Sequence, residues 1–302
     1  MRFAVIGAGA VGGVVAGHLA RGGAEVALVA RGAHADAIAA NGLRIETPAE
    51  TFVVHPPLGL PVWRAGDVVL LAVKTQDVAS ALHDVPVDVP VVCLTNGIAA
   101  ERIAAQRFAE VWGAMVVLPA SHLVPGVVQS FGSPVPGAIH VGRYPQGTGA
   151  QQIVDALCAA GFAALSRDDV MREKRGKLLV NLANVIEMLC GPEARHSAIA
   201  AQARAEGIAC FAAAGLSYAN DLPHVALAGA RPGGSMWQSL ARGKSLEVDY
   251  LNGEIVALGR THGVATPINT ALLRLAAEAV RPGAMSVAEL ERAVEPSGSM
   301  PM

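Results

Sequence analysis

Residues 2–12 read Arg2-Phe3-Ala4-Val5-Ile6-Gly7-Ala8-Gly9-Ala10-Val11-Gly12. A short apolar run ends in glycines, the pattern of a buried parallel strand entering a tight turn. From Val11 to Arg21 the composition predicts a helix, so the GxGxxG stretch lies between a strand and a helix. Glycine-rich turns are common, but in this setting the spacing predicts a dinucleotide-binding loop. Gly7 permits the sharp turn. Gly9 lets the backbone approach a pyrophosphate at the helix N-terminus, and Gly12 lets helix and strand pack closely. Ala8, Ala10 and Val11 complete the loop. The competing reading is a turn that binds nothing.

Moving outward, Gly22-Gly23 ends the helix and Glu25 to Ala30 predicts a second strand. An NAD site usually carries Asp or Glu at this strand's end, about 20 residues past the glycines, to hold the ribose 2′-hydroxyl. Here the chain reads Leu28-Val29-Ala30-Arg31. With no carboxylate and a guanidinium fork available for a 2′-phosphate, NADP is favoured over NAD. Alternatively, Arg31 is an ordinary solvent-facing residue. Further strands are predicted over 67–73, 89–95 and 111–118, with a short helix at 76–83 and a small hairpin within 43–54. Residues 124–148, rich in Gly and Pro, predict edge strands and turns. Strand and helix alternate as in a doubly wound, mostly parallel sheet.

The second half has another character. Ala- and Leu-rich stretches predict helices near 169–190, 198–216, 235–260 and 267–280, broken around Gly191-Pro192 and 222–234, with a loose C-terminal end. The expected organisation is an α/β Rossmann-type domain over 1–167 and an all-helical domain over 168–302, which would serve the substrate and a possible homodimer contact.

Composition narrows the partners. The chain has 302 residues, 52% of them hydrophobic but only 4% aromatic, with a net charge of −2. No clustered positive patch invites nucleic acid or an anionic membrane, so a small-molecule partner is expected. Cys93, Cys158, Cys190 and Cys210 are far apart, without a CxxC, and neither they nor the scattered histidines suggest a metal. Such cysteine usage fits a reducing, cytoplasmic compartment. The apolar run Val68–Val73 is too short to cross a bilayer. The N-terminal apolar stretch is interrupted by glycines unsuited to a signal-peptide helix.

Three later segments carry chemistry. Val73-Lys74-Thr75-Gln76 follows the third strand of the predicted sheet, and Thr95-Asn96-Gly97 follows the fourth, both at the edge where open α/β sheets bind ligands. Lys177, Asn181 and Asn184, spaced i, i+4 and i+7, would line one stripe of a helix. Last come Gly234-Ser235-Met236 and Glu247-Val248-Asp249-Tyr250-Leu251-Asn252-Gly253.

With these five segments in this order, the chain resembles the ketopantoate (2-dehydropantoate 2-) reductase family over nearly its whole length. The resemblance implies a Rossmann domain followed by a helical domain, and hydride transfer from NADPH to the 2-oxo group of ketopantoate, giving pantoate for coenzyme A synthesis. It implies that Lys177 is the catalytic lysine that protonates the developing alkoxide, a donor this chemistry needs. It assigns Glu247 to orienting substrate and lysine, and Ser235 to the substrate carboxylate. Asn96 is placed near nicotinamide and substrate, Lys74 near the cofactor, and Asn181 in the pocket. Read without the family, Lys177 is a surface lysine, with Lys174 and Arg175 nearby supplying solvated charge; Glu247 and Asp249 form a solvated face; Asn96-Gly97 is a turn.

The chain also departs from the family. Arg175 stands where an aromatic is usual two residues before the lysine. Val185 replaces a second asparagine, and Asn184 falls one position early, about 100° away around a helix. Pro232 and Ser239 replace an asparagine and an aspartate around the serine. These changes leave open a related carbonyl or hydroxy substrate, and a third reading as an NADPH-binding sensor without turnover.

Overall fold

The computed structural model describes residues 1–229 and 233–294. In chain order the first part carries β1 (Arg2–Ile6), α1 (Ala10–Arg21), β2 (Glu25–Val29), α2 (Gly32–Asn41), β3 (Leu43–Glu46), β4 (Thr51–Val54), β5 (Asp67–Leu71), α3 (Val78–Ala81), β6 (Val91–Cys93), α4 (Ala99–Ala104) and β7 (Val111–Val117). It continues with β8 (Ala120–Ser121), β9 (Val127–Ser130), β10 (Ala138–Arg143), α5 (Gln151–Ala159) and β11 (Ala163–Ser166). Helices follow: α6 (Val170–Asn181), α7 (Asn184–Cys190), α8 (Ala198–Ala213), α9 (Ser235–Ala241), α10 (Asn252–His262), α11 (Pro267–Glu278) and α12 (Val287–Val294).

The principal sheet has seven strands in the order β11-β10-β7-β6-β5-β1-β2, parallel except where β10 meets β7. Beyond the charged first residues of β1 and β5, the central strands β1, β5 and β6 are apolar because both faces are covered. Phe3, Val5, Val68 and Leu70 face one layer, with Val14, Val15 and Leu19 of α1 and Ile153 and Leu157 of α5. Ala4, Ile6, Val69 and Leu71 face the other, with Val78 of α3 and Ala100 and Ala104 of α4. Burying a Leu70 or Leu71 side chain completely is worth about 1.5–3 kcal/mol each. The predicted 43–54 hairpin is β3 and β4, part of a four-stranded sheet in the order β4-β3-β9-β8. One expectation needs correction: within 124–148, β10 is no edge strand but an interior one, flanked by β7 and β11. Five of its six residues are buried; apart from Gly142, the glycines and prolines of the segment lie outside it.

Register positions the functional edge. Ile6 pairs with Val29 and Leu71, and Leu71 with Cys93, so β2, β1, β5 and β6 end at one level. At the other end of the sheet Arg2 clasps Asp67 through Nε (2.9 Å) and Nη2 (2.6 Å), tying the starts of β1 and β5.

By packing, the chain forms two compact units. The first holds Met1–Lys174 and takes back residues 220–229; the second holds Arg175–Ala219 and residues 233–294. The change falls inside α6, later than a break at 167/168, because Val170, Met171 and Lys174 are buried with the sheet, Val170 and Met171 packing against Met115. The returning segment is held by backbone bonds from Ser133 N–H to Ala226 O (3.1 Å) and from Ala228 N–H to Phe131 O (2.8 Å).

The second unit packs α7, α8, α10 and α11 around Phe211, Ile255 and Leu272. A polar knot sits within it. Asn252 donates to Asn269 Oδ1 (3.0 Å) and Leu182 O (3.2 Å), and Asn269 donates to Ala203 O and to Glu206. The continuous helix expected over 235–260 is instead α9, an irregular stretch with Gly243 at φ +61°, a 3-10 turn at Val248–Tyr250, and α10. The helix expected over 169–190 is interrupted at Leu182-Ala183. No helix among the described residues is long and apolar enough to cross a membrane.

Candidate active site

In the sheet unit, the loop after β1 lies where strand order reverses between β1 and β5, the point at which open α/β sheets bind ligands. Gly7 adopts φ +107°, and a Cβ there would stand 2.8 Å from the Ala72 carbonyl carbon and oxygen. At Gly12 a Cβ would fall 1.9 Å from Gly7 O. Gly9 is different: a Cβ there would meet nothing within 4 Å. Its missing side chain therefore serves no neighbour in the fold and leaves bare backbone facing open space. Gly9 is also the N-cap of α1, without a side-chain cap and with no acidic residue in the first turn. The first-turn N–H groups and the helix dipole thus offer an anion site. This cradle fits a dinucleotide pyrophosphate.

The loop has a support that the sequence did not reveal. Gly126 N–H donates to His34 Nδ1 (2.8 Å), so the ring proton sits on Nε2, which donates to Ala8 O (2.8 Å). Burial pushes the His34 pKa down, keeping the ring neutral. Its helix, α2, buries only Ile38 and shows no apolar stripe, so neither helix nor histidine announces itself in the sequence.

The other sheet-unit candidates emerge along the same edge. Arg31 is exposed, extended (φ −135°, ψ 151°) and caps α2, whose first turn has no acidic residue. Lys74 is half-buried and leads into a 3-10 turn at Thr75–Asp77. Asn96 is half-buried between buried Thr95 and Gly97, which turns the chain at φ +74°. Lys174, expected among solvated charges, is instead 2% exposed and paired with Glu101 at 2.6 Å. Burial pushes the Glu101 carboxyl up against the opposing pull of Lys174.

In the helical unit, α6 carries half-buried Lys177 and buried Asn181 one turn apart. The stripe ends there, because α7 starts only at Asn184. That asparagine's Oδ1 accepts from Arg195 Nη1 at 2.7 Å, and Val185 is fully buried in the core. Arg175 Nε donates to Ser217 O. Ser235 opens α9 and is exposed, while Ser239 is buried. Just before it, Gly234 N–H donates to Glu187 Oε1 (2.5 Å), whose Oε2 pairs with Arg195 (2.6 Å). Glu187 and Arg195 thus tie Asn184 to the start of the serine-bearing helix, an arrangement with no sequence signature. Glu247 is half-buried ahead of the Val248–Tyr250 turn, and Asp249 is exposed. Pro232 lies outside the described residues. Among the described residues no group of three or more His, Cys, Asp and Glu side chains is placed to hold a metal ion.

Comparison with known proteins spans both units. The model for the ketopantoate reductase PanE/ApbA family matches residues 3–146, and that for its C-terminal domain matches residues 169–279. A 2-dehydropantoate 2-reductase of Caulobacter vibrioides is 31% identical over 294 residues, covering 90% of this chain and 97% of its own. One from Archaeoglobus fulgidus is 32% identical over 225 residues, covering 69% of this chain and 75% of its own. Among solved structures, a PanE/ApbA family ketopantoate reductase from Ralstonia eutropha superposes with a TM-score of 0.77 at 29% identity, covering 92% of this chain and 98% of that one. A D-mandelate dehydrogenase solved with NADH and anilino(oxo)acetate shares the fold, with a TM-score of 0.79 at 24% identity, covering 97% and 99%.

Proposed function

The chain belongs to the ketopantoate reductase family, and from that premise we propose that it reduces a small 2-oxo acid with NADPH, 2-dehydropantoate being the first candidate. The observation that carries the reading is the Gly9 cradle. Bare backbone at the start of α1 faces open space at the sheet's switch point, with Arg31 and no carboxylate at the end of β2. Gly7–Gly12 would hold the pyrophosphate, and Arg31 with the start of α2 the 2′-phosphate, which favours NADPH over NADH.

When bound, the cofactor supplies a hydride to the carbonyl carbon of the substrate. The carbonyl π pair then moves to oxygen, and the Lys177 ammonium gives that oxygen its proton, leaving a 2-hydroxy acid and a neutral amine that regains a proton from solvent. Glu247 orients Lys177 and the substrate. Ser235 and Asn181 hold the polar ends of the substrate, while Asn96 and Lys74 serve the nicotinamide side.

A second reading keeps the chemistry and changes the substrate. Asn184 is engaged by Arg195, Val185 is in the core, and Glu187 is drawn to Gly234, so the helical unit carries polar contacts of its own kind. An NADPH-oxidation assay with 2-dehydropantoate and a panel of other 2-oxo acids separates the two by kcat/KM. Tight NADPH binding with no turnover of any member sinks both and leaves a sensor. Arg31→Ala is expected to raise the KM for NADPH roughly tenfold and leave that for NADH unchanged; an equal effect on both removes Arg31 from the 2′-phosphate.

A further inference from the structure

The buried pair of Glu101 and Lys174 has no part in the reaction as described above. Both side chains are almost wholly withdrawn from solvent, at 0% and 2% exposure. The surroundings are apolar: Val170, Met171 and Met115 pack together beside them, and Gly113 of β7 leaves room where a Cβ would come 3.4 Å from Glu101 Oε1. Apolar residues of similar volume would fill such a space at least as stably as an ion pair. Packing alone therefore does not account for a lysine here.

Its hydrogen bonds do. An ammonium has three donors. Lys174 Nζ donates to Thr95 O at 2.8 Å and to Ala114 O at 3.3 Å, and it forms an ion pair with Glu101 Oε1 at 2.6 Å. Two of these partners bracket one short turn. Thr95 lies beyond the last paired residue of β6, Cys93, and immediately before Asn96. Glu101 lies in α4, immediately beyond the turn at Asn96-Gly97. The third partner, on β7, fixes the ammonium to the sheet itself. One buried cation thus grips the chain on both sides of Asn96.

We propose that Lys174 and Glu101 are positioning residues for Asn96, holding the Thr95–Ile98 turn in the single conformation that the nicotinamide and the substrate carbonyl meet. The role assigned to Asn96 rests on the reductase reading above; the ordering of the turn does not.

The test uses the full-length protein as wild type, Glu101→Gln and the double variant Lys174→Met/Glu101→Met, which leaves no buried charge unpaired. In the double variant, amide hydrogen exchange across 94–98 is expected to accelerate about tenfold while the rest of the sheet keeps its protection. Turnover of the best 2-oxo acid falls roughly 10- to 100-fold in kcat with the KM for NADPH within about threefold. Glu101→Gln keeps an oxygen for Lys174 but removes its counter-charge, and is expected to fall between wild type and the double variant in both readouts. A folded double variant with wild-type exchange at 94–98 and wild-type kcat overturns the proposal, as does loosening spread evenly over the unit. If the double variant does not accumulate, wild type and Glu101→Gln decide: unprotected wild-type amides at Asn96–Ile98, or wild-type exchange and kcat in Glu101→Gln, overturn the proposal, and faster exchange confined to 94–98 in Glu101→Gln supports it. If the wild type reduces no 2-oxo acid, the reductase reading has failed, and the exchange measurements still decide whether the pair orders the turn.

Discussion

The sheet unit and the helical unit place their functional groups by different means. In the first, position comes from the main chain: Ile6, Val29, Leu71 and Cys93 share one level, and the loops that leave them are confined to one edge. In the second, position comes from side chains holding one another, with Asn252, Asn269 and Glu206 in one knot and Glu187, Arg195 and Asn184 in another. Main-chain pairing tolerates many side chains and keeps its geometry. A side-chain knot changes when any member changes. The first design suits a dinucleotide whose pyrophosphate is met by main chain, and the second suits a small substrate met by side chains.

Four substitutions bear on that contrast. The largest effect is expected from Lys177→Ala, which should lower kcat by about 10²–10⁴ with NADPH affinity unchanged; near-wild-type turnover would remove the proton-donor role. Next, Gly12→Ala puts a methyl 1.9 Å from backbone that cannot yield. It should cost about 3 kcal/mol of stability or more, seen in thermal or urea unfolding, and abolish cofactor binding. A well-folded, cofactor-binding Gly12→Ala protein would break the claim that main-chain geometry builds this half. Arg195→Met leaves Glu187 without its cation and should cost about 1–3 kcal/mol. It should also raise the KM of the 2-oxo acid more than that of NADPH, and the reverse ordering would contradict the division of labour.

The smallest effect sharpens the comparison, because His34 is a side chain that supports the main-chain-built half. Its folded pKa is depressed by burial, so the unfolded chain binds the extra proton below its ordinary value of about 6.5. The stability His34 contributes is therefore full above about pH 6.5 and is lost as pH falls toward the lower folded value. His34→Gln, which does not titrate, should flatten the fall of the melting temperature between pH 7 and 5 and change NADPH affinity by less than about threefold. Coincident pH profiles for the two proteins would reject the tie to Ala8.

The same contrast explains what could be read in advance. The strands β1, β5 and β6 are legible because burial on both faces demands unbroken apolar runs, and the glycines because only they fit the turn and the close approach. The helix α2 was invisible since one buried isoleucine makes no stripe. Lys174 is hidden because a charged run, Arg172-Glu173-Lys174-Arg175, looks solvated from composition; which of its members turns inward depends on Glu101 and Thr95, far away in sequence. The helix predicted over 169–190 is divided at Leu182-Ala183, where apolar content persists through the interruption. That predicted over 235–260 is divided at Arg242-Gly243-Lys244-Ser245, a polar stretch whose glycine marks the break. Arg195 and Glu187 have no spacing that announces them.

The segment 220–229, which returns to the sheet unit after the chain has left it, bears on how this gene can be cut and recombined. A fragment ending at Lys174 would lack the residues that bond to Phe131 and Ser133, leaving those backbone groups to water or to a stray chain. Exchanging the helical unit with that of a relative therefore takes two junctions on this side, one within α6 and one near residue 220, plus a third beyond 229. A chimera built with a single crossover inherits a sheet unit assembled from two parents, with the mismatch buried at the 131–133 and 226–228 contacts.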